Sequence, residues 1–216
     1  MTAPATAPVG AYVPPRVTRL DAQSLDPAVV RALTAVTGLS SSVSDELDGL
    51  GYRTAVPASA VPPLRGTDVV VGRAITLRYL PTRRLETGNG RLAHLTLFDL
   101  AAPGDVAVIA APGDPAASIL GGRAAAAARA AGVAAVVAFG AVRDIDEIEA
   151  TGLPLWATSH TPITGRGRIE AVEINGPLEI AGIHAEPGDV VVADASGIVF
   201  VPDEVFDEVA RRILGG

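Results

Sequence analysis

Apolar positions recur at two periods along this chain, and the change of period divides it. Near the start, Val29, Val30, Leu33 and Val36 fall on one helical face. Asp26-Pro27 precedes them as an N-cap and a first-turn proline, and Gly38 reads as the stop. Leu39 to Arg53 predicts a second, short helix, capped by Ser41, Ser42 or Ser44 and ending near Gly49 or Gly51. Its acids Asp45, Glu46 and Asp48 lie toward the helix start, where the macrodipole favours them. Asp68 to Leu80, rich in Val, Ile, Thr and Tyr, predicts one long or bent strand, with Gly72 marking a bulge or a close backbone approach. Leu92 to Ala101 predicts a helix with His94 on or beside its apolar face, and a lone histidine there reads as a packed or surface residue before a ligand.

The middle of the chain holds its most telling stretch, Gly121 to Asp144, GGRAAAAARAAGVAAVVAFGAVRD. A glycine pair opens an alanine-rich helix, Gly132 ends it, and the apolar run AAVVAF follows as a buried strand. With the preceding strand DVAVIA this makes a strand–helix–strand unit, which implies parallel strands joined by a right-handed crossover. Ligands of such units sit beyond the carboxyl ends of the strands, where Arg143 and Asp144 fall. Gly-Gly at a helix start lets backbone N–H groups approach an anion, Arg143 offers a cation for a carboxylate, and Asp144 a hard oxygen ligand for a metal. Taken alone, Arg143-Asp144 also fits a surface ion pair of little energetic weight.

Ile145 to Gly152 then predicts a short acidic helix and LPLWATS a further strand, with His160 in the loop that follows. From Gly165 the period shortens: RIEAVEI, PLEIAGI, DVVVADA and GIVFVP predict a β-rich layer, and a final helix opens at Pro202-Asp203-Glu204. Three Pro-Gly-Asp turns punctuate the chain, ending at Asp105, Asp114 and Asp189; the second lies just before the Gly-Gly pair. The GxG at Gly88 and Gly90 lacks the third glycine and preceding strand of a dinucleotide fingerprint and reads as a loop.

Composition narrows the options. Of 216 residues, 49% are hydrophobic and 19% charged, a globular balance, and no apolar run reaches the length of a membrane span. There is no cysteine, so disulfides and thiolate metal sites are excluded, which fits a cytoplasmic protein. A net charge of −7 without a basic block and an aromatic content of 4% argue against direct nucleic-acid binding. Residues 1–25 read as a Pro/Ala-rich arm without a signal-peptide pattern, and residues 26–216 as a single domain.

The succession SSVSDEL, VGRAITL, AAPGDVAVI, the Gly121–Asp144 stretch, GLPLWA and EPGDVVVADASGIVFVP resembles the RraA-like family in order, over roughly Leu33 to Val209. That family holds 4-hydroxy-4-methyl-2-oxoglutarate and 4-carboxy-4-hydroxy-2-oxoadipate aldolases, some with oxaloacetate decarboxylase activity, and the regulator of ribonuclease activity A. The resemblance implies an α/β/β sandwich like the swivelling phosphohistidine domains, with N-terminal helices, assembled as a homotrimer or hexamer with pockets between subunits. It further implies Mg²⁺ or Mn²⁺ on Asp144, and Arg143 on the substrate's carboxylate and oxo group. A backbone cradle at Gly121, Gly122, Arg123 and Ala124 would take the carboxylate of a 2-oxo acid, with pyruvate as product.

One position departs from the pattern. The aldolases carry an Asp, twenty residues and then Arg-Asp, with the first Asp holding a metal-bound water. Here that first position is Gly122. Asp114, Asp146, Glu147 or another subunit's carboxylate stand as substitutes. Retro-aldol cleavage needs a base for the C4 hydroxyl whereas decarboxylation does not, so the departure is expected to weaken the aldolase reaction more. A non-catalytic regulator, or a different reaction on a carboxylic substrate, stays open at this point.

Overall fold

The computed structural model describes residues 14–21, 23–64, 69–82, 93–111 and 116–215. Its layers follow from side-chain alternation along buried strands. In β4 (Val106–Ala110), Ala107 and Ile109 face one core while Val106, Val108 and Ala110 face another. The strand β6 (Ala135–Val142) divides the same way, with Val136, Ala138 and Val142 on the first side and Ala135 and Val137 on the second. A strand buried on both faces has no solvent side to keep polar, which is why these stretches read as continuous apolar runs.

The first core is closed by α3 (Ala93–Leu100), α4 (Gly122–Ala130) and α5 (Ile145–Ala150), which contribute Leu97, Ala125 and Ile148 among others. The second lies between the same sheet and residues of β11 (Val190–Ala193), β12 (Gly197–Val201) and the hairpin β9 (Leu178–Ile180)–β10 (Ile183–Ala185). A third core covers the outer side of β11 and β12 with α1 (Pro27–Thr34), α2 (Leu39–Gly49) and α6 (Asp203–Gly215). The whole is a mixed α/β fold with helices on both outer faces.

The long strand β3 (Val70–Pro81) joins the halves. Its Val70–Arg73 pair antiparallel with β11, its Ala74–Arg78 pair parallel with β4, and its last residues pair antiparallel with β8 (Ile169–Ile174). A Cβ at Gly72 would overlap the Gly104 carbonyl oxygen, so the glycine marks a close backbone approach. The sheet continues from β4 to β6, flanked by β5 (Ser118–Leu120) and β7 (Leu155–His160), all parallel; β2 (Ala55–Pro57) ends the other side on β12.

Several expectations change. Gly38 does not close α1, which ends at Thr34; it adopts the left-handed conformation (φ 67°) as the N-cap of α2. No serine caps α2. The buried Asp194 does so from across the fold, accepting from Ser40 N (3.0 Å) and Ser40 Oγ (2.7 Å). The segment PLEIAGI is two strands, turned at Ala181 and Gly182, both at positive φ. The strand RIEAVEI joins β3 and not the second layer. Within the expected N-terminal arm, β1 (Arg16–Val17) pairs parallel with β8, and Arg16 and Arg78 share the buried Glu173 carboxylate at 2.6 and 2.8 Å. Gly88, Gly90 and Asp114 lie outside the described residues.

Candidate functional site

Two parallel strand ends build the site. The short β5 was not legible beforehand, because three residues leave no period to read. It pairs Ser118 with Ala141 and Leu120 with Val142, and Arg143 N donates to Leu120 O (3.1 Å). The residues leaving β5, Gly121-Gly122, therefore run beside those leaving β6, Arg143-Asp144. Each pair opens a helix on the same side of the sheet, α4 and α5.

Arg143 Nε lies 3.3 Å from Asp144 Oδ2, and both side chains are about one third exposed (35% and 37%). Asp144 sits in the left-handed region (φ 59°, ψ 49°), a conformation that is unfavourable for an L-residue but tolerated by Asp. Although it is the N-cap of α5, its side chain makes no capping hydrogen bond, so the carboxylate is not spent on the helix end. Both side chains press on bare backbone. A Cβ at Gly121 would stand 2.7 Å from Asp144 Oδ2 and 3.1 Å from Arg143 Cγ.

The neighbouring glycine is the position that departs from the family pattern. A Cβ at Gly122 would overlap Glu147 Oε2 and Glu147 Cβ. Glu147 is one turn into α5, and its carboxylate occupies the volume that a side chain at position 122 would need. Of the two candidate carboxylates within the described residues, Glu147 and not Asp146 lies there; Asp146 is exposed on α5 and is not among the atoms nearest either glycine. The signal available beforehand was the glycine itself, a position with no side chain where the family pattern carries an acid.

The helix start supplies donors. The first turn of α4 leaves the N–H groups of Gly122 and Arg123 without intrahelical acceptors. The Ala124 N–H bonds to Gly121 O (2.9 Å). No acid stands in this first turn. Arg123 is exposed beside it.

Among the described residues, neither His94 nor His160 makes a hydrogen bond or ion pair with the cluster. His94 is buried against Phe98, with Tyr79 Oη 3.4 Å from its Nδ1, and burial pushes its pKa down to about 4, so it is a neutral core residue. His160 is the exposed last residue of β7, paired with Val142, and not a loop residue. A 210 Å³ cavity between α2, β2 and β10 is lined by Ser44, Asp48, Arg53 and neighbours and shares no residue with the Arg143–Asp144 cluster. The chemistry, not this hollow, marks the candidate site.

Asp144 and Glu147 make an all-oxygen donor set, suited to a hard divalent cation. Among the described residues no group of three or more His, Cys, Asp or Glu side chains converges. A cation here would thus keep positions for water and for substrate oxygens, the habit of Mg²⁺ on one or two carboxylates. The residues fit such an ion.

Comparison with known proteins gives a consistent picture. The family model RraA-like, described as Aldolase/RraA, matches residues 40–200. A protein of Halalkalibacterium halodurans provisionally named 4-hydroxy-4-methyl-2-oxoglutarate aldolase is 35% identical over 174 residues, covering 80% of this chain and 77% of that one. The 4-hydroxy-4-methyl-2-oxoglutarate aldolase of Thermus thermophilus is 34% identical over 90 residues, 40% of this chain and 52% of its own length. Among solved structures, Streptomyces coelicolor RraAS2, described as an unusual member of the RNase ES inhibitor RraA protein family, superposes with a TM-score of 0.77 at 29% identity, covering 89% and 93% of the two chains.

Proposed function

The chain belongs to the RraA-like family, and on that premise we propose that it is a divalent-metal-dependent lyase that cleaves a 2-oxo acid to pyruvate. The observation that carries the reading is the placement of Glu147: its carboxylate fills the side-chain space of Gly122, beside Asp144 against Gly121. Asp144 and Glu147 would hold Mg²⁺ or Mn²⁺, and a cation bound there supplies Lewis-acid polarisation of the 2-oxo group.

The remaining steps belong to the chain's own residues. The N–H groups of Gly122 and Arg123 take the substrate carboxylate at the helix start. Arg143 meets the negative charge that develops on the oxo oxygen, with a planar donor that stays charged throughout. In retro-aldol cleavage Glu147, directly or through water, accepts the proton of the C4 hydroxyl. The C3–C4 bond then breaks, its electron pair enters the enolate of pyruvate, and protonation at C3 completes the product. Decarboxylation of oxaloacetate uses the same enolate stabilisation and releases CO₂ with no hydroxyl proton to remove. With a carboxylate in the space over Gly122, both reactions have the groups they need. On this reading the half-exposed pair is completed by a neighbouring copy in a homotrimer or hexamer, in the cytoplasm.

A second reading is favoured by the likeness to RraAS2: a regulator that acts on a ribonuclease through protein contact. One experiment separates the two. Pyruvate release from oxaloacetate and from 4-hydroxy-4-methyl-2-oxoglutarate is measured with Mg²⁺ or Mn²⁺ and then with chelator, beside an Asp144→Ala protein and with the metal-only background subtracted. Turnover that needs both metal and Asp144 is expected. No turnover above background on either substrate would overturn the lyase reading and leave the regulator.

A further inference from the structure

We propose that the cavity between α2, β2 and β10 binds a free α-amino acid with an aliphatic side chain, its ammonium group on Asp48 and its carboxylate on Arg53. The inference does not rest on the lyase reading, because the cavity shares no residue with the Arg143–Asp144 cluster.

The cavity wall combines an apolar floor with two unlike charges. Leu47 and Val199, both members of the third core, line it together with Ala55 and Ile183, so a hydrocarbon group placed against them leaves water. Asp48 and Arg53 line the same cavity. Among the described residues, neither side chain makes a hydrogen bond or an ion pair, with the other or with any third group. Unlike charges that share a cavity without pairing leave space for a ligand that carries both signs. A ligand with a single charge would answer only one of them. The volume, 210 Å³, is that of about seven liquid waters, which suits a small metabolite and is too little for a nucleotide or a peptide.

The backbone sets the two charges apart. Asp48 lies in the last turn of α2, a turn with no basic residue. The carbonyl end of a helix favours cations, so an acid there opposes the macrodipole and the helix gains nothing from it. Carboxylate and helix end together attract a cation instead. Ser44, one turn earlier on the same face, adds a hydroxyl acceptor, which suits an ammonium group with three donors. Gly51 then reverses the chain at φ 87°, with Tyr52 N donating to Leu47 O (2.9 Å), and returns Arg53 and Thr54 beside the helix end. Tyr52 is held there by donating through Oη to Glu204 (3.3 Å).

Arg53 supplies the planar fork that matches a carboxylate. Thr54, also in the wall, has a buried Oγ1 with no hydrogen-bond partner among the described residues. A single staggered rotation about χ1 exchanges that hydroxyl with the methyl group and makes it a second donor to the same carboxylate. An unpaired buried hydroxyl is costly, so a ligand that engages it relieves a defect of the unliganded fold.

Calorimetry and thermal unfolding of the full chain with L-valine test the proposal against three analogues. 3-Methylbutanoate lacks the ammonium group, 2-methylpropylamine the carboxylate, and glycine the aliphatic group. Valine is expected to bind at least about 10-fold more tightly than each, as for loss of one set of contacts, and to raise the unfolding midpoint with its concentration. Asp48→Asn and Arg53→Gln are each expected to weaken valine binding by about 10-fold. Both residues are exposed, so without ligand the midpoints should move no more than for ordinary surface substitutions. Thr54→Val should raise the midpoint of the unliganded protein while weakening its affinity for valine. Binding of 3-methylbutanoate or 2-methylpropylamine as tight as that of valine, valine binding that survives both charge variants, or no binding at tens of millimolar valine would overturn the proposal and leave the lyase reading untouched.

Discussion

Glu147 and Gly122 share one volume: the carboxylate of the first lies where a side chain of the second would be. The two positions are therefore alternatives, and a carboxylate is accommodated from one backbone or the other but not from both. Gly122→Asp alone should crowd Glu147 and destabilise the protein by about 1–3 kcal/mol, the usual cost of overpacking. Glu147→Ala alone should lower kcat by about 100-fold or more if it acts as the base. Combining them returns a carboxylate to the site and removes the overlap, so the double variant should be more stable than Gly122→Asp and more active than Glu147→Ala. A double-mutant cycle in urea unfolding and in pyruvate release checks this; simple additivity would show that the positions are independent.

Gly121 supports the other carboxylate. Gly121→Ala adds a methyl 2.7 Å from Asp144 Oδ2 and 3.2 Å from Arg143 Nε, and both flexible ends must move. Displacement of about 1 Å at reacting groups is expected to cost about 100-fold in rate. Because the obstruction is to partly exposed side-chain tips, unfolding midpoints should change little. A large stability loss with unchanged activity would contradict the placement.

Asp194 is a remote helix cap. Its carboxylate accepts from the buried Ser40, through N and Oγ, and from N of the exposed Ser196 (2.8 Å). Asp194→Ala leaves the two buried Ser40 donors unpaired and should destabilise by about 2–3 kcal/mol. Equilibrium urea unfolding measures it, with hydrogen exchange expected to open α2 first.

Two buried groups tilt the pH dependence in opposite directions. Asp189 has its pKa raised from 3.8 to about 6, first by burial and then by its like-charged neighbours Glu186 and Glu204, against the Glu186 N–H it accepts and the nearby His184. Its folded form favours the proton, so it contributes stability below about pH 4 that is lost as pH rises through 6. His94, lowered by burial from 6.5 to about 4, favours the neutral form, and its contribution is lost as pH falls from 6.5 through 4. The two slopes oppose each other over the same window. Asp189→Asn should gain about 2 kcal/mol over the parent at pH 8 and nothing below pH 4. His94→Gln should compare progressively better with the parent as pH falls from 6.5 to 4. Unfolding curves at pH 4, 5, 6 and 8 test both signs.

Much was legible because the signal was local. Asp26-Pro27 caps α1, with Asp26 Oδ1 accepting from Ala28 N at 2.7 Å, as N-cap and first-turn preferences require. The runs that became β4 and β6 are apolar throughout because both faces are buried, and the Gly-Gly helix start and Arg-Asp strand end could be placed together from the strand–helix–strand rule. The resemblance in motif order extended this to the family, which the match over residues 40–200 establishes.

What stayed hidden depended on partners distant in the chain or on spans too short to carry a period. The serines of α2 suggest a local cap, but the acceptor for Ser40 is 154 residues away. The strand β5 is three residues long, and Arg16–Val17 is a strand only because β8 offers an open edge. Glu147 stood level with Asp114 and Asp146, since sequence distance to Gly122 does not rank them. The sequence by itself determined which chemical groups are present and which backbone positions they punctuate, because periodicity, caps and glycines act over a few residues. Only the tertiary structure decided which carboxylate fills the gap at Gly122, because that is settled by where two helices begin on adjacent strands and by the exclusion of one atom from another's volume.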